Sequence, residues 1–134
     1  SAKFIQAFCK IGLVPDSGGT FNLVRALGLP RAKALALLGD KLSAEQAQSW
    51  GMIWQCVDDE NLMDETMTLA RHLATQPTKG LAMIKQLMNN SFSTPMHQQL
   101  ELEKQAMREL GRTSDYREGV SAFMEKRQPK FTGE

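Results

Sequence analysis

The chain has 134 residues, with 16 Lys and Arg against 15 Asp and Glu, a formal net charge of +1. Its length bounds it to one domain or part of one, and 42% hydrophobic with 23% charged residues describes a globular chain with an ordinary core. The near-neutral balance excludes the strong field that draws a protein to nucleic acid or an anionic membrane; no apolar run nears the ~20 residues of a membrane span, and the start lacks the apolar core of a signal peptide.

The first stretch, "FIQAFCKIGLV", predicts a short strand or buried extended segment over residues 4–14. It opens with no cap or turn before it, so an N-terminal part of a larger protein is expected to be missing. Cys9 and Cys56 stand far apart without His or Cys at metal spacing. They read as buried, reduced thiols of a cytoplasmic protein, with no metal site. After Pro15, "DSGGTFNLVRALG" predicts a short helix with Asp16 or Ser17 as its cap and Gly28 at its left-handed end. Pro30 suits the first turn of the next helix, which Gly39 closes. Ser43 and Gln46 have capping-box spacing for a helix that ends at Gly51. "MIWQCV", residues 52–57, predicts a strand from its branched and aromatic residues.

From Asp58 onward the pattern is helical. Leu62, Thr66, Leu69 and Leu73 share one face, Leu81, Ile84 and Met88 the next, then Met96, Leu100, Met107 and Leu110 after Thr94-Pro95. A last helix carries the stripe Tyr116, Val120 and Phe123 and stops before Pro129. The piece is therefore mainly α, with at most two short strands, too few to form a stable sheet alone.

Asp16 is the first candidate for chemistry. On a glycine-rich bend it reads either as a helix cap or as a general acid/base beside a substrate. The Gly18-Gly19 pair lacks the Lys-Ser/Thr of a phosphate loop. His72 and His97 each stand alone and read as surface residues. The methionines read as flexible core filling. The basic cluster "MEKRQPK" reads either as a solvated helix end or as a contact to a ligand phosphate. No Ser-His-acid or Cys-His set can be assembled from local spacing.

Four stretches in order carry a resemblance: "GLVPDSGGT", "ALLGDKLSAEQAQSWGMIWQCVDDENL", "LATQPTKGLAMIKQ" and "DYREGVSAFMEKRQPKFTGE". Together they resemble the C-terminal half of the enoyl-CoA hydratase/isomerase (crotonase) family, over essentially the whole chain. The resemblance implies the C-terminal helical part of a crotonase-like α/β spiral fold. Residues 1–57 would end the core and carry the acid/base loop, residues 58–134 would form a helical oligomerisation region, and the N-terminal half of the fold would be absent. It implies a CoA-thioester isomerase with Asp16 as the proton-handling carboxylate. The most similar members act on ring-epoxide acyl-CoA esters of phenylacetate breakdown; a Δ3-Δ2 enoyl-CoA isomerase and an enoyl-CoA hydratase are the alternatives. A hydratase of the family carries a glutamate at the position of Phe8, eight residues before Asp16, and water addition uses a pair of carboxylates. Phe123 and Lys126 match family positions near the CoA nucleotide, Lys126 toward its phosphate. Coenzyme A would enter as part of the substrate, with no further cofactor. The partners implied are an acyl-CoA and further copies of the chain, as trimer or hexamer, with no nucleic acid and no membrane. The thioester oxygen of such a substrate is held by two backbone N–H groups outside these residues, so the chain alone is expected to be an inactive fragment, or a helical oligomerisation module without activity of its own.

Overall fold

The computed structural model describes all 134 residues, and they divide into two compact units, Ser1–Met63 and Asp64–Glu134. In the first, β1 (Lys3–Ile5) is followed by a 3-10 helix (Ala7–Ile11), α1 (Gly19–Leu27), α2 (Leu29–Leu38), β2 (Lys41–Ser43) and α3 (Ala44–Ser49). β1 and β2 pair antiparallel, Lys3 opposite Ser43, Phe4 opposite Leu42 and Ile5 opposite Lys41. The core lies where Leu23 and Leu27 of α1 meet Ala32 and Leu35 of α2, closed by Leu42 and Ala47. Gly28 alone joins α1 to α2, at φ 74° and ψ 158°. Its φ is positive as expected of a helix stop, but its ψ lies outside the left-handed helical region. Gly39, at φ 63° and ψ 29°, is a true left-handed cap.

Two expectations fail here. Residues 4–14 are not one buried extended segment: the strand ends at Ile5, and a mostly exposed 3-10 helix follows. Gly12, at φ 74°, turns the chain, and its N–H donates to the Cys9 carbonyl at 3.2 Å. Residues 52–57 form no strand either. The Met52 N–H donates to the Ala47 carbonyl at 2.9 Å, and the Cys56 N–H to Gln48 Oε1 at 2.7 Å. Their main-chain bonds thus go to α3 and not to a ladder, while Met52 and Ile53 pack on the core. The second strand falls instead on Lys41–Ser43. Ser43 Oγ accepts from the Gln46 N–H at 3.2 Å and caps α3, but Gln46 Nε2 turns to Ser49 Oγ, so the capping box is half made.

α4 (Leu62–Ala74) begins before the division between the units, behind a short 3-10 turn at Asp59–Asn61. In the second unit, α5 (Thr78–Ser91) packs against α6 (Met96–Leu110), and α7 (Ser114–Glu125) follows. The chain is mainly helical with two short strands, as its pattern implies. The apolar stripes do not all face inward. Met96 and Met107 are 75% and 70% exposed, and α6 turns Gln99, Leu102, Ala106 and Leu110 inward instead. Gln99 Nε2 donates to the Leu87 carbonyl of α5 at 3.1 Å. No helix is long and apolar enough to cross a membrane.

Candidate functional site

Asp16 sits in the turn between the first 3-10 helix and α1. Ser17 at φ 50° and Gly18 at φ 80° both take left-handed conformations, which a glycine tolerates and a serine adopts only under constraint. The constraint is visible: the Gly19 N–H donates to the Asp16 carbonyl at 2.7 Å, and a Cβ on Gly19 would stand 3.1 Å from Pro15 Cβ. Pro15 thus packs directly on the start of α1, and a side chain at Gly19 would have to push it aside by a few tenths of an ångström. The cap of α1 is Gly18, with no side-chain hydrogen bond. Neither Asp16 nor Ser17 caps the helix, contrary to the local pattern. The Asp16 carboxylate is exposed, with no hydrogen bond or ion pair inside the chain. It follows an uncovered apolar run in which Ile11, Leu13 and Val14 are all exposed, Val14 at 76%. Phe8, half-buried in the 3-10 helix, anchors this run through its carbonyl, which accepts from the Leu13 N–H at 2.9 Å. α2 supports the same helix: a Cβ on Gly39 would lie 3.0 Å from Cys9 Sγ.

Phe123 and Lys126 lie in the second unit. Phe123 is 82% exposed and lines, with Tyr116, Val120 and Phe131, an apolar cavity of about 440 Å³. The stripe of α7 thus walls a cavity and fills no core. Lys126 caps α7 in the left-handed conformation, φ 54° and ψ 40°, where glycine is the usual occupant. Holding a lysine there costs roughly 1–2 kcal/mol. Its ammonium makes no contact within the chain. Arg127, beside it, is already engaged. Its guanidinium forks onto Glu118 at 2.6 and 2.9 Å, and Nε reaches Glu125 at 2.6 Å. These bonds, with a donated Lys130 N–H, hold the Glu118 carboxyl down at about 2. Of the basic cluster, then, Lys126 keeps a free ammonium group, while Arg127 serves the fold and the Lys130 charge acts on Glu118. His72 and His97 are exposed, and no three His, Cys, Asp or Glu side chains gather as a metal would require.

Sequence reasoning missed Asp115, which is only 5% exposed. Its carboxylate accepts from the Thr132 and Gly133 N–H groups at 2.7 and 2.8 Å. The one available signal, an acid in the first turn of a helix, is too common to single it out.

The model of the enoyl-CoA hydratase/isomerase family matches residues 1–134. The chain belongs to that family. It is 60% identical over 133 residues to the 1,2-epoxyphenylacetyl-CoA isomerase of Escherichia coli strain K12, matching 99% of this chain and 51% of that protein. It is 45% identical to a probable enoyl-CoA hydratase of Rhodobacter capsulatus, again over 99% of this chain and 52% of the relative. The crystal structure of enoyl-CoA hydratase subunit I from Geobacillus kaustophilus superimposes with a TM-score of 0.94 at 34% identity, covering 99% of this chain and 52% of that one. The family member described here therefore spans about half the length of the relatives it matches. These shares fix how much of each relative is matched and do not establish the C-terminal placement expected above.

Proposed function

We propose that the chain is part of a CoA-thioester isomerase in which Asp16 takes a proton from the acyl group and returns it elsewhere on the same molecule. The reading rests on one observation above the rest: the Asp16 carboxylate is held on a rigid left-handed bend beside uncovered apolar surface, and neither capping nor an ion pair uses it. An isomerisation leaves composition unchanged, so one carboxylate that accepts and then returns the same proton suffices. Water addition is disfavoured by Phe8, which stands at the sequence position where the hydratases that the chain resembles carry a second carboxylate. The name of the 60%-identical relative directs the substrate toward a 1,2-epoxyphenylacetyl-CoA; the family resemblance makes the oxepin isomer the expected product.

The remaining half of the family fold supplies the thioester-binding N–H donors, each worth about 3–4 kcal/mol to the transition state. The exposed run Ile11–Val14 offers that half an apolar surface to cover. Phe123 and Lys126 form the coenzyme end, the ring against the nucleotide and the ammonium toward its phosphate. The strained backbone at Lys126 supports this, since a glycine there would relieve the strain and lose the charge.

Asp16→Asn in the full-length protein tests the reading. The turnover number should fall 10²- to 10⁴-fold with coenzyme A affinity unchanged. Undiminished turnover would remove Asp16 from the chemistry. Hydration of crotonyl-CoA at a rate matching isomerisation would favour the hydratase instead, a reading that the name of the Rhodobacter capsulatus relative keeps open. The 134-residue chain alone should show no turnover in either assay.

A further inference from the structure

After Glu125 the chain reverses and runs back along the helix it has just left. Two carboxylates on α7 and two donors at its start hold it there. Glu118 takes Arg127 and the Lys130 N–H, the latter at 2.8 Å. Asp115 takes the Thr132 and Gly133 N–H groups and, at 3.3 Å, the Thr132 hydroxyl. The main-chain oxygen of Glu134 accepts from the Ser114 hydroxyl at 2.6 Å and from the Asp115 N–H at 2.9 Å. The spacing of Asp115, Glu118 and Gly119 places all three on one side of the helix. Gly119 lets the returning chain lie flat: a Cβ there would touch the Phe131 ring at 3.6 Å. Gly133, at φ 85°, has no room for a side chain, because a Cβ would stand 2.7 Å from Thr78 Oγ1 at the start of α5.

This strap bears on two features. It sets Phe131 as a wall of the apolar cavity that Phe123 lines. It also follows directly on the reversal at Lys126, where the backbone turns left-handed and the chain leaves the helix. We propose that Asp115 and Glu118 are positioning residues of the coenzyme end, acting through the strap to hold Lys126 and Phe131 where the coenzyme's nucleotide is bound. The proposal rests on the coenzyme role given above to Lys126. It adds that this role depends on carboxylates that never touch the ligand. Asp115, buried and engaged by two main-chain donors of the strap, is the stronger of the two.

The test compares coenzyme A with 3′-dephospho-coenzyme A, by calorimetry on the full-length protein, in Asp115→Asn, Glu118→Gln, Lys126→Ala and the double variant Asp115→Asn/Lys126→Ala. Amide hydrogen exchange is followed on the same samples. Asp115→Asn should speed exchange at Thr132 and Gly133 at least tenfold, while the Val120–Ala122 amides keep their protection and show that α7 is intact. It should also reduce the preference for coenzyme A over the dephospho form several-fold, toward that of Lys126→Ala, and the double variant should lose little more than Lys126→Ala alone. Glu118→Gln, with α7's start untouched, should move the preference the same way by a smaller factor. A released strap with an unchanged coenzyme preference, where Lys126→Ala does lose it, would overturn this proposal and leave the coenzyme role of Lys126 standing. An unchanged preference in Lys126→Ala would overturn that role and this proposal with it.

Discussion

Gly39 shows how much a single position constrains the site. It caps α2 at φ 63°, and a Cβ there would meet Lys10 Cε at 2.9 Å, Cys9 Sγ at 3.0 Å and the Gln6 carbonyl at 3.3 Å. The lysine end can move aside; the thiol and the carbonyl belong to the 3-10 helix that leads to Asp16. Gly39→Ala therefore combines backbone strain with overpacking, and urea unfolding should show a loss of about 1–3 kcal/mol. An unchanged midpoint would mean that the 3-10 helix is loosely held. Lys126 is the converse case. Lys126→Gly should raise stability by about 1 kcal/mol by relieving the left-handed strain, while weakening coenzyme A binding in the full-length protein. A stability gain without loss of binding would leave the strain without a function.

Helix ends and the strap govern behaviour at the scale of elements. Thr113 Oγ1 accepts from the Tyr116 N–H at 3.1 Å and caps α7. Thr113→Ala should cost about 0.5–2 kcal/mol in thermal or urea unfolding, felt most where α7 meets the returning chain. The strap also responds to pH. Glu118 is ordinarily near 4.5 and is lowered here to about 2 by Arg127 and then by the Lys130 N–H. A lowered folded value means that the unfolded form binds the proton first. The Glu118 contribution is thus complete above about 4.5 and drains away as pH falls toward 2. The protection of the Lys130 amide, its exchange taken relative to the intrinsic rate at each pH, should fall across that window and not above it, and Glu118→Gln should flatten the response. Protection already lost at pH 5 would show that Glu118 does not hold the strap.

At the scale of the whole molecule, surface is the telling quantity. The chain exposes 10212 Å². Two separate compact bodies of half its mass would expose roughly 8,500 Å² together. Many large apolar side chains share in that surface: Leu37, Trp54, Met88, Met96 and Met107 all lie open. Faces of this kind are made to be covered. The isolated 134-residue chain should therefore self-associate, with a weight-average mass in sedimentation equilibrium that rises with concentration above 14.9 kDa. A monomer at high concentration would mean that these faces tolerate water.

Much was legible in the sequence because local chemistry decided it. Pro30 and Gly39 bound α2, and Ser43 caps α3 through its own hydroxyl, all within a few residues of chain. The bend at Asp16 was readable for the same reason, whereas the family was legible only as a resemblance carried by four stretches along the whole chain. Where apolar residues go was not. "MIWQCV" is branched and aromatic because Met52 and Ile53 plug a core, yet its N–H groups bond α3. The stripe of α7 faces a cavity, and that of α6 faces outward except at Leu110. Periodicity counts apolar residues along a helix but is blind to what stands opposite them. Only the tertiary structure left the Asp16 carboxylate unspent, Arg127 spent and Asp115 buried, because each outcome depends on partners that the fold, and not the neighbouring residues, brings within reach.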